Sequence, residues 1–332
     1  MSGIDLAPLA AQLRALAGLH GKTAIQRPAA HFPHQPFAAL GPAALLGDDA
    51  ALLPACSGRL LLASEGMDPG LLAKDPWFAG WCGVLVNLSD IAAMGGRPLA
   101  LVNSLWCRGA ARAEPVLAGL QAAAARFDVP VVGGHTNLNS PYDALAVAVL
   151  GHAGGAVLSA RFARPGDRCV LLVNGSGRMR HPDRFWDAAT EATPELLRRQ
   201  LALPAQLAED GVVHAAKDIS MGGLVGTAVM FCESAGCGLT LELEAITPPE
   251  GVALEDWLAC FPSFGFLLAV APGQEPALRA AVAAEGSEPA LICQPIGRFT
   301  AAPGVHLRAG GGEETVWSGA EALTGFGPVP SG

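Results

Sequence analysis

The sequence predicts an α+β protein built as two domains, and three observations carry that expectation. The chain has 332 residues, a length that suits two domains each with its own core. Strand-like apolar runs alternate with helical stripes along most of it. The run at 143–151 follows the one at 129–132 too closely for a helical crossover. The sheet is therefore expected to be mixed and largely antiparallel rather than doubly wound.

Taken in order, residues 4–19 form an amphipathic stripe of Leu6, Leu9, Leu13, Leu16 and Leu19, followed by a Pro- and His-rich loop from Arg27 to Pro42. Strands are expected at 50–53, 60–64, 99–105, 129–132 and 143–151, with helices at 77–94 and 112–127. The first of these helices is the clearest element. Trp81, Val84, Leu85, Leu88, Ile91 and Ala92 share one face, Gly95 is placed to cap it, and Pro98 stops it. The turn signal Arg164-Pro165-Gly166-Asp167 precedes a strand at 168–173, so the domains divide near 157, into 1–156 and 157–332. The second half continues with helices at 183–190, 194–209 and 221–235 and strands at 238–244, 264–271 and 290–296. From about 301 the chain is rich in Gly and Pro and is expected to pack loosely. No short-period repeat points to a solenoid.

Hydrophobic residues make up 51% and charged residues 15%, which suits a folded protein with a buried oligomer interface. A net charge of −9, a single Tyr and no basic stripe argue against nucleic acid. Eight Cys without any C-x-x-C pair argue against zinc and a disulfide framework, and fit a reducing cytoplasm. Neither a signal peptide nor a membrane span is read from the sequence.

Five short segments carry chemistry. Gly47-Asp48-Asp49-Ala50-Ala51 opens a strand with adjacent carboxylates, and Ser64-Glu65-Gly66-Met67 ends the next strand on another. Asn87 and Asp90 lie one turn apart on the apolar helix, where an acid and an amide are costly to bury unpaired. Gly133-Gly134-His135-Thr136-Asn137 ends a strand in glycines and polar groups. Lys217-Asp218-Ile219-Ser220-Met221-Gly222-Gly223 leads into a helix whose N-terminus carries partial positive charge. Its paired glycines call for close approach of a ligand or of another backbone. Magnesium takes hard oxygen ligands with substrate phosphates, and glycine pairs let backbone N–H groups reach phosphate oxygens. Each segment alone also reads as an ordinary turn, loop or cap; the combination suggests Mg-nucleotide chemistry.

The order and spacing of these segments resemble the aminoimidazole-ribonucleotide (AIR) synthetase, or PurM-like, superfamily. That group includes thiamine-monophosphate kinase, selenophosphate synthetase, formylglycinamidine synthetase and a hydrogenase maturation factor. GDDAALL at 47–53, NLSDIAAMG at 87–95 and RPGDRCVLLVNGSG at 164–177 are similar to the kinase forms. GGHT at 133–136 looks more like selenophosphate synthetase, and VHAAKDISMGGL at 213–224 more like the synthetase and maturation-factor branches. The resemblance runs from Gly47 to Val270. It implies a homodimer of two-domain subunits whose first-domain mixed sheets join into a barrel, with a second α+β domain and ATP in a groove nearby.

The resemblance also implies metal ligands at Asp48, Asp49, Glu65 and Asp90, with Glu65 where an Asp is usual. Catalytic roles fall to Asp48, His135 and Asp218, and cofactor contacts to Lys22, Asn87, Gly133, Gly134, Thr136, Gly222 and Gly223. His135 stands where the kinase branch has an acid; it could contact a phosphate, ligate weakly, or act as a base with its near-neutral pKa. The first Cys is Cys56 and the chain ends without one, unlike the selenium and maturation branches. His31 and His34 lie between prolines and off any helix, a poor metal pair. Arg178, Arg180, His181 and Arg184 either attract a phosphate or form a solvated loop. Phe261, Phe264 and Phe266 resemble the strand entry lining the second-domain cleft. The expected function is ATP- and Mg²⁺-dependent phosphorylation of a small substrate by a cytoplasmic enzyme. The alternative is a nucleotide-binding maturation or regulatory protein with little turnover.

Overall fold

The computed structural model describes residues 58–286, 291–324 and 327. The helix expected at 4–19, the loop at 27–42, the strand at 50–53, and Lys22, His31, His34, Asp48, Asp49 and Cys56 lie outside them. The first half begins with β1 (Arg59–Gly66) and a short helix α1 (Pro69–Lys74), then α2 (Pro76–Ala93), β2 (Arg97–Arg108), α3 (Ala110–Phe127), β3 (Val131–Asn137) and β4 (Asn139–Ala153).

Local chemistry fixes α2 at both ends. Asp75 accepts a hydrogen bond from the Phe78 N–H at 3.0 Å, and Pro76 sits in the first turn, where no N–H is missed. At the other end Gly95 has φ +72°; its N–H reaches the Ala92 carbonyl at 2.8 Å while Gly96 reaches Ile91 at 2.9 Å. That pair of bonds is the Schellman stop. Between them Trp81, Val84, Leu88 and Ile91 are almost fully buried.

The first sheet has the order β1-β4-β2-β3, antiparallel except for the parallel β2–β3 pair. It is mixed, as the close spacing of β3 and β4 implies. Both α2 and α3 cover one face. The other face points outward and carries Leu60, Leu62 and Val102, exposed by 63%, 79% and 42%.

The second half contains β5 (Arg168–Val173), β6 (Arg178–Arg180), β7 (Phe185–Asp187), α4 (Pro194–Glu209), β8 (Ala215–Asp218) and α5 (Gly223–Ala235). It continues with β9 (Gly238–Glu242), α6 (Leu254–Ala259), β10 (Phe261–Pro262), β11 (Gly265–Val270), α7 (Glu275–Glu285), β12 (Ile292–Thr300), β13 (Gly304–Ala309) and β14 (Gly312–Trp317). A seven-stranded sheet runs β14-β13-β9-β12-β5-β11-β8. Its interior strand β5 alternates between two cores: Cys169, Leu171 and Val173 pack with α5, Val170 and Leu172 with α4 and α7. Strands β6, β7 and β10 form a separate small sheet.

Three expectations are corrected. Residues 183–190 are not helical; 185–187 form β7, held parallel to β10 and antiparallel to β6. The chain after 301 is not loose, because β13 and β14 pair as a hairpin and β13 joins β9. The strand before His135 does not end at the glycines but continues through them to Asn137. No helix among the described residues is long and apolar enough to cross a membrane.

Candidate active site

Three carboxylates from separate elements converge between the two halves. Glu65 closes β1, Asp90 lies in the last turn of α2, and Asp218 ends β8. They line a cleft of about 530 Å³ together with Met67, Phe78, Cys82, Phe185, Met221 and Phe261. Asp90 and Asp218 also line a second cleft of about 360 Å³ beside Met94, Ser159, Arg161, Lys217 and Ser234. The two acids therefore stand where both clefts meet.

The electrostatics of the trio are strained. Burial, then the charges of Asp218 and Glu65, push the Asp90 carboxyl well above the usual carboxylate range, with Lys217 opposing. Glu65 is raised by burial and by Asp218, again against Lys217. Asp218 is raised by burial, while Lys217 and its own backbone N–H pull the other way. The Lys217 Nζ stands 3.9 Å from the Asp218 carboxylate, too far for a strong hydrogen bond. Such a group of hard oxygens with insufficient positive charge is what a divalent cation would relieve. Among the described residues, however, no three His, Cys, Asp or Glu side chains are grouped closely enough to enclose a metal ion. The described acids are at most part of a ligand set, and Asp48 and Asp49 lie outside the described residues.

Other candidates fall elsewhere. Asn87 is fully buried; its amide donates to the Gly83 carbonyl at 2.8 Å, its own oxygen has no partner among the described residues, and it does not line either cleft. It shares a helix with Asp90 but not an outlook. Gly133, Gly134, His135 and Thr136 lie on β3, at the sheet edge opposite β1. Within one protomer the sheet order does not bring them to the acids. Gly134 has a packing reason: a Cβ there would come 2.3 Å from the Asn103 carbonyl of β2. Gly223 has one too, since its Cβ would meet the Leu258 carbonyl at 2.5 Å at φ +64°. The backbone of α6, not a ligand, accounts for that glycine. Gly222 precedes α5, whose N-terminus has no side-chain cap, and its neighbours Ser220 and Met221 line the larger cleft.

The arginines after the Gly175-Ser176-Gly177 turn are committed to ion pairs. Arg178 reaches Glu191 at 2.8 Å and Arg184 reaches Asp256 at 3.4 Å. Arg180 binds Asp75 at 2.8 Å and Asp187 at 3.3 Å, and stacks 3.7 Å from the centre of Phe78. It joins the small sheet to the cap of α2. Phe264 and Phe266 are core, and of the cleft's aromatic side the sequence pointed to Phe261 but not to Phe78 or Phe185, which come from two other distant segments. Their edge contacts, Phe185 to Phe78 at 5.0 Å and to Phe261 at 5.3 Å, exist only in the fold.

Comparison with known proteins then places the chain. The family profile for "AIR synthase related protein, N-terminal domain" matches residues 47–153, and the one for its C-terminal domain matches 164–310. An uncharacterized protein, sll0787, of Synechocystis is 47% identical over 86% of this chain and 88% of its own length. The thiamine-monophosphate kinase of Methanospirillum hungatei is 28% identical over 63% of this chain and 74% of its own. The crystal structure of hydrogenase maturation protein HypE in complex with ATP superposes with a TM-score of 0.66 at 19% identity, covering 92% of this chain and 96% of that one.

Proposed function

This chain belongs to the AIR synthase related family, with the two-domain α+β fold of PurM-like proteins, and from that premise we propose that it is an ATP- and Mg²⁺-dependent enzyme that phosphorylates a small molecule. The observation that carries this reading is the meeting of Glu65, Asp90 and Asp218 in the larger cleft, the last two at its junction with the smaller one, with Lys217 as the opposing charge. A named kinase among the relatives and an ATP complex among the structural neighbours support it.

Phosphoryl transfer is catalysed mainly by positioning and charge neutralisation. Asp48, Asp49, Glu65 and Asp90 would hold the metal, which when bound supplies neutralisation of phosphate charge. Asp218, which lines both clefts at the end of β8, would take the proton of an acceptor hydroxyl or amine. Lys22 and the N–H of Gly222 would face the phosphates, whereas the Gly223 N–H is taken by the Ser220 carbonyl at 2.9 Å. The outward apolar sheet face with Leu60 and Leu62 supports a homodimer joined through the first sheet, with the domain division near 157. In such a dimer, the edge strand bearing Gly133, Gly134, His135 and Thr136 would contribute from a neighbouring copy.

The alternative, a nucleotide-binding maturation or regulatory protein with little turnover, draws on one observation: the described acids alone do not enclose a metal. ADP formation separates the two. The enzyme reading expects Mg²⁺-dependent ADP release that rises with an acceptor and falls at least about 100-fold in Asp218→Asn. Tight Mg-ATP binding with no ADP formed against any acceptor overturns it in favour of the alternative.

A further inference from the structure

We propose that the 530 Å³ cleft receives a small organic amine with an apolar body and no phosphate group. The inference rests on the phosphoryl-transfer reading of the same site and names the class of molecule the cleft binds. A cleft of this volume holds a molecule of one or two rings.

One wall is apolar and built from both halves of the chain. Phe78 and Met67 come from the first, Phe185, Phe261 and Met221 from the second. Phe185 meets Phe78 and Phe261 edge-on, so the three rings form a continuous surface. Flat or aliphatic groups bury well against such a surface.

The charge of the lining decides what the rest of the ligand carries. Among the described residues five carboxylates face the cleft, those of Glu65, Asp68, Asp90, Asp183 and Asp218, against one lining cation, Arg184. Arg184 is paired with Asp256, and the neighbouring bases are paired as well: Lys74 with Asp183 at 2.7 Å, Arg180 with Asp75 and Asp187, Arg178 with Glu191. The three arginines after the Gly175-Ser176-Gly177 turn are therefore all engaged in ion pairs rather than free for a phosphate ester. A metal at Glu65 and Asp90 neutralises one end only; at the other, Lys74 bridges Asp183, while Asp68, one oxygen of which accepts the Leu71 N–H at 2.7 Å, has no cation partner among the described residues. An ammonium group is complementary there, and a second phosphate is repelled. Repulsion of the wrong charge is an economical source of specificity. It sets this chain apart from a kinase whose substrate, by its name, is a monophosphate.

Three probes that differ in one group test the proposal: 2-phenylethylamine, 2-phenylethanol and 2-phenylethyl phosphate. Each is titrated against the full chain by saturation-transfer NMR, with Mg²⁺ and a non-hydrolysable ATP analogue present. The amine is expected to bind at least about tenfold more tightly than the phosphate, with the alcohol between them. Met221→Arg places a positive charge on the cleft rim at a side chain that is 76% exposed, so folding is preserved; it should erase or invert the preference. Equal or tighter binding of the phosphate, no binding of any probe, or an unchanged preference in Met221→Arg overturns the proposal. Binding of the ATP analogue is read separately. If it fails while the amine preference stands, the phosphoryl-transfer reading falls and the amine site does not.

Discussion

The Lys217 ammonium lies 3.9 Å from the Asp218 carboxylate and is the positive charge that acts on Glu65, Asp90 and Asp218 alike. One lysine set against three acids leaves the meeting point of the two clefts underneutralised. Natural proteins accept such local destabilisation where a ligand will relieve it.

Removing one of the acids should therefore stabilise the protein when no cation is present. Asp90→Asn is expected to raise stability by about 0.5–2 kcal/mol at pH 8 in EDTA. It should also lose the stabilisation that Mg²⁺ with ATP gives the wild type. Differential scanning calorimetry with and without Mg-ATP measures both. A variant less stable than wild type in EDTA would contradict the electrostatic account.

Removing the lysine has the opposite sign. Lys217→Met leaves the three carboxylates unopposed, so thermal stability in EDTA should fall, and added Mg²⁺ should restore more of it than it adds to wild type. An equal Mg²⁺ response in the two proteins would show that Lys217 and the cation do not serve the same charges.

Much of this arrangement could be read from the sequence, and the limits have physical reasons. Helix α2 was legible because its apolar stripe, Gly95 and Pro98 agree on one element; its start at Asp75-Pro76 came from the structure. Strand β5 was legible from the turn before it and its apolar run. The stretch 183–190 misled because Phe185 and Trp186 owe their conformation to pairing with β10, some seventy-five residues away. The acids stood out as carboxylates at element ends. The distance of His135 from them depends on sheet order, and the aromatic wall on three remote segments; neither leaves a local signal.

The Arg180–Asp187 contact gives a pH dependence. Burial alone would raise Asp187, but hydrogen bonds from Thr190 and Ala189 and the Arg180 charge outweigh it and hold the carboxyl below its ordinary range. A lowered folded pKa adds stability above the unfolded value of about 3.9, lost as pH falls through the folded value. Asp187→Asn should cost about 2 kcal/mol at pH 7, and the gap from wild type should begin to shrink below about pH 3.9 and close once the pH is under the folded value. Denaturant melts across pH 2–7 test this; a gap that persists at pH 2 would assign Asp187 a role that does not depend on its charge.

The outward sheet face predicts assembly. Leu62→Asp, at a residue 79% exposed in the protomer, should convert a dimer to monomers while lowering protomer stability by less than about 0.5 kcal/mol. Sedimentation velocity reads the outcome, and an unchanged dimer would move the interface elsewhere.

Isothermal titration of the full chain with ATP, with Mg²⁺ and then with EDTA, tests the central claim most directly. Micromolar binding that requires Mg²⁺ and is lost in Asp90→Asn is the predicted result. Binding of equal strength in EDTA, or none in either buffer, would contradict a metal-nucleotide site at Glu65, Asp90 and Asp218.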